Sequence, residues 1–207
     1  AALTAARGIP VIEDDIYGDL HLEDQRPWPV KAFDRSGNVM LCASFSKCLS
    51  PSLRIGFVAA GKYRAEIALQ KTVTSGATNP VTQQVLAEYL ESGAFERHLR
   101  GLRREYRQQL SAMQVAVGRY FPAGTRISRP KAGFVLWIEL PEHIDTLALY
   151  ESAIERQVAY VPGPLFSPSG MYRNCLRLNC GNPHTAQIDE AIRRLGEIFG
   201  GSAKDSP

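Results

Sequence analysis

Three unbroken apolar runs set the character of the first sixty residues. They are "PVIED" at 10–14, "VMLCAS" at 39–44 and "RIGFVAA" at 54–60, each too short for a helix and each bounded by a polar loop. Such runs predict strands of a mostly parallel sheet buried on both faces. Ahead of the first run, "AALTAARGIPVIEDD" reads as the end of a helix, a Gly8 cap and a strand over residues 9–13. The period then changes. Helices are predicted over residues 63–74 and, behind Pro80, over 81–92. A longer helix is predicted from about residue 95 to 120, where Leu99, Leu102, Tyr106, Leu110, Met113 and Val117 recur at three- and four-residue spacing. Pro122, Ala123 and Gly124 stop it. Strands near 125–128 and 134–140, a helix near 146–156, short strands near 159–161 and 175–179, and a final helix near 185–199 complete the pattern. The expected fold class is α/β. A β-rich first part spans residues 1–94, a long connecting helix 95–123, and a second α+β domain 124–200. The tail "GGSAKDSP", residues 201–207 above all, reads as disordered.

Composition changes this picture little. Apolar residues make up 44% and charged residues 22%, the balance of an ordinary globular chain. A net charge of +3 is too small to imply a nucleic-acid partner by itself. No apolar stretch approaches the ~18 residues that a membrane span needs. Cys42, Cys48, Cys175 and Cys180 form no C-x-x-C pair, a spacing that fits reduced cytoplasmic thiols better than a disulfide framework or a zinc site. There is no internal repeat, no G-x-G-x-x-G and no P-loop. The chain opens on Ala1, inside an element, which reads as a piece of a longer protein, with a trimmed or processed N-terminus as the alternative.

The candidate chemistry sits between the second and third apolar runs, in "SFSKCLSPSLRIGF" at 44–57. Lys47 falls in a short break between two expected strands. It is either a loop lysine at a strand end or an amine placed to form a Schiff base with a carbonyl. Arg54, seven residues on, could bind a phosphate or carboxylate through paired hydrogen bonds, and Ser44 and Ser46 add hydroxyls. The set suits a phosphorylated aldehyde cofactor, and it also suits an ordinary polar turn. At the end of the first run stand Glu13, Asp14 and Asp15, then Tyr17. A solvated acidic strand end is one reading. The other is a carboxylate at the carboxyl end of a parallel strand, where ligands of open α/β sheets bind. Such a carboxylate could pair with a protonated pyridine nitrogen, and the Tyr17 hydroxyl with a nearby phenolate oxygen.

Together these residues resemble the aminotransferase class I/II family of pyridoxal-phosphate (PLP) proteins. That family shows D-x-x-Y followed by S-x-S-K-x-x-x-P-x-x-R-x-G, and Asp14, Tyr17, Ser44, Ser46, Lys47, Pro51, Arg54 and Gly56 occupy every one of those positions. The resemblance continues through "KAGFVLWIELP", "VPGPLFSP" and "NCLRLNCGNP" and covers all but the tail. It implies the last part of the large PLP-binding domain plus the small domain, joined by a long helix. It further implies that Lys47 bonds PLP as an imine and moves the α-proton, and that Asp14 holds the pyridine nitrogen protonated. Tyr17 would contact the ring oxygen, Ser44 and Arg54 would hold the phosphate, and Ser46 would belong to the cofactor-binding set. Arg177 would clamp the substrate α-carboxylate, although "LRL" alone also reads as an edge-strand arginine facing water. Ala132 departs from the second glycine usual in "KAGF", so substrate preference does not carry over.

The resemblance leaves out the family's earlier half, with its phosphate-binding helix N-terminus, stacking aromatic ring and ring-contacting asparagine. Two function classes follow. The first is the effector domain of a GntR-type (MocR-like) transcription regulator, which "GPLFSPSGMYRNCLRLNCGNP" resembles more; DNA would be met only by a domain outside this chain. The second is a free-standing aminotransferase acting on an α-amino acid and a 2-oxo acid. A PLP-fold interaction domain without chemistry is a third class, against which the intact residue set argues. The resemblance also implies a homodimer, a cytoplasmic location, an amino acid or amino compound as ligand, no membrane partner and no metal.

Overall fold

The first strand begins later than its apolar run. Pro10 has no N–H to give, and the Val11 amide makes the first ladder bond, to the Asn38 carbonyl at 3.0 Å. The computed structural model describes residues 1–201, and they form two compact units: Ala1–Arg103, and a second that starts at Arg104.

In the first unit a short helix α1 (Ala2–Ala6) leads through Gly8, at φ +65°, into β1 (Val11–Asp14). β2 (Val39–Ser44) is the central strand and β3 (Gly56–Ala59) the third. β1 runs parallel to β2, with Val11 opposite Val39 and Asp14 opposite Cys42. β3 runs antiparallel to β2, with Ser44 opposite Gly56 and Leu41 opposite Ala59. Connection length decides the difference: a parallel return needs a crossover of about a dozen residues or more, which residues 15–38 supply and residues 45–55 do not. The expected burial on both faces is not met. Ile12 is 72% exposed and Phe57 51%, and β3 is open along its whole length. Helices α2 (Arg64–Thr74) and α3 (Pro80–Glu91) follow. Asn79 caps α3, its Oδ1 accepting from the Val81 and Thr82 amides at 2.9 and 3.3 Å, with Pro80 at the first helical position. The long helix α4 (Ala94–Tyr120) carries the boundary between the units.

The second unit holds β4 (Arg126–Ile127), β5 (Val135–Glu139), α5 (Tyr150–Glu155), β6 (Val161–Pro162), β7 (Cys175–Asn179) and α6 (Ala186–Gly201). The sheet order is β4-β5-β7-β6 and every pairing is antiparallel. Alternation along β5 buries Leu136 and Ile138 opposite Leu178 and Leu176 of β7, and Leu195 and Phe199 of α6 are fully buried. Phe199 meets Phe121 and Tyr160 edge-on, at 5.2 and 5.6 Å between ring centroids. α5 is shorter than its sequence pattern because Thr146 is used elsewhere: its buried hydroxyl lies 2.9 Å from the Arg173 carbonyl and 2.7 Å from that of Cys175. Gly200 and Gly201, read from sequence as tail, continue α6, and residues 202–207 lie outside the described residues. Among the described residues no helix is long and apolar enough to cross a membrane.

Two local features generate stability predictions. Asp34 organises the turn that aims β2. Its carboxylate accepts from the Val39 amide at 2.9 Å, the Ser36 and Asn38 amides at 3.1 Å each, and the Lys31 ammonium at 3.1 Å. The Val39 hydrogen bond leads in holding its pKa well below the usual carboxylate range; burial opposes it, and Lys31, Asn38 and Ser36 add to it. A carboxyl depressed in the folded state stabilises above its unfolded pKa of about 3.9 and loses that contribution as pH falls towards the folded value. The parent should therefore lose stability below about pH 4. Asp34→Asn should be less stable at pH 7 and lose less on acidification. Denaturation midpoints at pH 7 and pH 3 check both signs.

Gly196 sits inside α6, where alanine would ordinarily stabilise a helix by about 1 kcal/mol. A Cβ there would overlap the Tyr120 carbonyl oxygen and come within 2.7 Å of the Tyr120 carbonyl carbon, both backbone atoms. Gly196→Ala is expected to destabilise by about 1–3 kcal/mol instead, the cost of overpacking. An unfolding midpoint at or above the parent's would show that α6 can shift at no cost.

Candidate active site

The carboxyl ends of β1 and β2 lie side by side because the two strands are parallel, and the antiparallel β3 begins at that same edge. This brings most of the expected residues together. Asp14 is the last residue of β1, opposite Cys42. Ser44 ends β2, two residues past Cys42, and so shares a face with Asp14. Gly56 stands opposite Ser44, and Arg54 lies two residues before it. A Cβ at Gly56 would lie 2.7 Å from the Ala43 carbonyl and 3.1 Å from the Ser44 Cβ, so glycine is what lets β3 start this close. Tyr17 opens the 3-10 turn Gly18–Leu20 just after β1.

The loop between β2 and β3 is braced rather than loose. Phe45 donates its amide to Ile55 at 3.1 Å, and its carbonyl accepts from Leu49 and Ser50 at 2.8 and 3.1 Å. Its ring packs against Phe95 of α4, edge-on at 5.8 Å, and Phe57 at 6.3 Å. His98 Nε2 donates to the Cys48 carbonyl at 2.9 Å, tying the residue after Lys47 to α4. On the other flank, Arg103 Nε donates to the Asp19 carbonyl at 2.8 Å. Ser44 Oγ accepts from the Ser46 amide at 3.4 Å. After the 3-10 turn Pro51–Leu53, Arg54 takes a left-handed conformation with φ +53°. Non-glycine residues hold that region at a cost and concentrate at functional sites.

Charge pairing separates the functional set from its neighbours. Glu13 accepts from the Val30 and Lys31 amides at 2.7 and 2.9 Å. Asp15 pairs with Arg26, which also reaches Asp19 at 3.0 Å, and burial raises the Asp15 pKa in spite of Arg26. Asp14, between them, accepts one long bond from the Ile16 amide at 3.4 Å and has no cationic partner among the described residues. Lys47 and Arg54 are exposed and make no ion pair among the described residues. Cys48 does not compete as a nucleophile: burial first, and the Asp19 charge second, push its thiol up to about 11.

Arg177 belongs to the second unit. It lies on β7, opposite Trp137 of β5 and Val161 of β6, on the face away from the buried leucines. Its guanidinium lies over the Phe166 ring at 5.0 Å. That stack was not foreseen from sequence. Phe166 falls inside "VPGPLFSP", but its approach to Arg177 depends on how the loop closes. His98 was missed as well; its one sequence signal is a place on α4 three residues after Phe95.

The residues present fit PLP. Among the described residues, a carboxylate with an oxygen to spare stands at a strand end, an exposed amine in a braced turn, and an exposed guanidinium without an ion pair at the start of β3, with Ser44 and Ser46 at the end of β2; a pyridinium, an aldehyde and a phosphate each find a complement. Among the described residues no cluster of side chains could hold a metal ion.

Comparison with known proteins agrees with this geometry. The family model "Aminotransferase class I and II" matches residues 1–195. An uncharacterized HTH-type transcriptional regulator of Escherichia coli, YjiR, is 39% identical over 196 residues, 95% of this chain and 42% of that protein. Aromatic-amino-acid aminotransferase 1 of Thermococcus litoralis is 35% identical over 192 residues, 91% of this chain and 46% of that protein. The crystal structure of a multiple substrate aminotransferase from Thermococcus profundus superposes with a TM-score of 0.91 at 32% identity, covering 99% of this chain and 51% of that one. LysN, the α-aminoadipate aminotransferase of Thermus thermophilus solved with N-(5'-phosphopyridoxyl)-L-leucine, gives 0.90 at 33% identity, covering 98% and 53%. The chain thus spans about half the length, or less, of the relatives it matches. Fold, motif and match together place it in the aminotransferase class I and II family.

Proposed function

We propose that this chain is the aminotransferase-like part of a PLP-binding transcriptional regulator of the GntR (MocR-like) type. In it, residues 1–94 are the last part of the large domain and residues 124–200 the small domain. The observation that carries the PLP reading is that Asp14, Lys47 and Arg54 gather at the carboxyl end of β1 and β2, with no ion-pair partner for any of them among the described residues. The regulator reading is supported by YjiR and by a second HTH-type regulator of Escherichia coli, YdcR, 34% identical over 96% of this chain. The aminotransferases among the relatives favour a second reading, a free-standing transaminase acting on an α-amino acid and a 2-oxo acid. The two readings share one site. They part at the sequence that precedes this chain in its gene, where a basic winged-helix segment would mark a regulator. Both imply a cytoplasmic homodimer that binds an amino acid or amino compound, and the first meets DNA through a domain outside this chain.

Bound PLP supplies an electron sink for the α-carbon of an amino acid. The chain's own residues place and tune that chemistry. The Asp14 carboxylate keeps a proton on the pyridine nitrogen by charge pairing. The Tyr17 hydroxyl hydrogen-bonds the ring oxygen. Arg54 offers paired N–H donors to the phosphate, with Ser44 and Ser46 adding hydroxyls. Lys47 would hold the cofactor's aldehyde through its amine, with loss of water, and as a free amine would take up and return the α-proton. Arg177 receives the substrate carboxylate through its planar fork.

Borohydride reduction of the full-length protein with PLP, followed by peptide mapping, should place the pyridoxyl group on Lys47. Label on another lysine would remove the assignment. Arg177→Lys keeps the charge but loses the fork. Losing one charged hydrogen bond of about 1.5–3 kcal/mol should weaken amino-acid binding roughly ten- to a hundredfold. Titrating the cofactor absorbance with L-alanine, L-leucine, L-glutamate and L-phenylalanine reads this, and unchanged affinities would refute the carboxylate role.

A further inference from the structure

We infer that Phe166 is a positioning residue for Arg177: its ring fixes the guanidinium plane while leaving the N–H edge free for a carboxylate. The inference rests on the carboxylate role proposed for Arg177 and adds to it the device that holds the group in place.

The stack is built by strand register and loop closure. Register sets Trp137 and Arg177 opposite each other across β5 and β7. The segment that follows β6 carries Phe166 over the pair. Phe166 meets the Trp137 ring edge-on at 5.4 Å and lies 5.0 Å from the Arg177 guanidinium carbon. Tyr172 also meets Trp137 edge-on, at 5.6 Å and 88°. Three rings and one guanidinium are thus linked by contact through Phe166 and Trp137.

The loop that carries Phe166 is held shut at both ends. A Cβ on Gly163 would overlap the Tyr172 carbonyl and lie 2.7 Å from the Cys175 carbonyl, so the two ends approach as closely as backbone allows. Tyr172 takes φ +65°, and its carbonyl accepts the Cys175 amide at 2.9 Å. Inside the loop, Ser167 Oγ accepts from the Ser169 and Met171 amides at 3.3 Å each. A side chain on so braced a segment has a defined place.

The choice of an aromatic partner has a chemical consequence. The five guanidinium N–H bonds lie in the plane of the group and point outward. An acidic neighbour would orient arginine by occupying that edge and cancelling its charge. A ring occupies the face instead. Among the described residues Arg177 makes no ion pair, whereas Arg126, Arg173 and Arg193 of the same unit each pair with a carboxylate. Arg177 is thus oriented with its charge and its fork both intact, the state in which an incoming carboxylate gains most.

A double-mutant cycle tests this in the full-length, PLP-loaded protein. Affinity for the tightest of L-alanine, L-leucine, L-glutamate and L-phenylalanine is followed by cofactor absorbance. Phe166→Leu should weaken binding about three- to tenfold in the parent, the size of a lost cation–π contact. In an Arg177→Gln background, which has neither the fork nor the cation, it should cost nothing further, because the group it positions is already gone. Phe166→Tyr should keep affinity within about twofold. A merely structural role for Phe166 predicts losses that multiply across the cycle. Multiplying losses, or a Phe166→Leu protein that binds like the parent, would overturn the inference. If Arg177→Gln alone leaves affinity unchanged, or the parent binds none of the four, the carboxylate reading itself falls and the positioning role goes with it. A loss in Arg177→Gln but none in Phe166→Leu removes only the positioning role.

Discussion

The hydrogen-bond register of β2 is the constraint on which the candidate site depends. One strand of six residues pairs parallel on one side and antiparallel on the other. The parallel side delivers the carboxyl end of β1, and with it Asp14. The antiparallel side delivers the start of β3, and with it Arg54. A slip of one residue would turn Asp14 and Ser44 to opposite faces of the sheet. Two backbone bonds just past the ladders hold the register at the edge that matters: the Asp15 amide to Cys42 at 2.8 Å, and the Phe45 amide to Ile55 at 3.1 Å. Asp34, at the other end of β2, fixes where the strand enters.

Much of this was legible from residues alone, and the reasons differ by element. Long periodic segments were easy: the stripe from Leu99 to Val117 lies in α4, which runs from Ala94 to Tyr120. Strand identity was legible from the apolar runs. The direction of β3 could have been read from the length of the connection, but composition gave no hint of it. Burial was misread for β1 and β3, because an apolar run records what a strand can be covered by and not whether this chain covers it. The start of the helix after Asp145 was misread for another reason. Thr146 looks like a helix opener by local preference, yet its hydroxyl is taken by carbonyls of residues 173 and 175. A partner almost thirty residues away in sequence leaves no trace in a local window.

At the candidate site, the motif singled out the candidate residues and the structure shows how their surroundings differ. Glu13, Asp14 and Asp15 are indistinguishable as letters. In the fold, Glu13 is spent on two backbone amides and Asp15 on Arg26, while Asp14 keeps an oxygen free. Sequence spacing cannot report this, because it depends on where residues 26–31 return. The ordered neighbours also have a function in this arrangement. An unpaired Arg26 or Lys31 near the acidic strand end would compete for Asp14; each is instead held by another acid, Arg26 by Asp15 and Asp19 and Lys31 by Asp34.

The same logic reaches Arg177 by a different physical route. A free carboxylate or ammonium at a strand end stays solvated, so leaving Asp14 and Lys47 without partners costs little. Arg177 is half-buried on its sheet face, where an unpaired charge is held at some cost in solvation. An acid would relieve that penalty and would also occupy the donors. An aromatic face relieves part of it and occupies none. If Arg177 takes a carboxylate as proposed, Phe166, packed edge-on against Trp137, would hold it without using its donors, whereas an ion pair would spend them. Arg173, only four residues earlier, shows the alternative outcome: it is held by Asp145 Oδ2 at 2.6 Å and spends its donors within the chain.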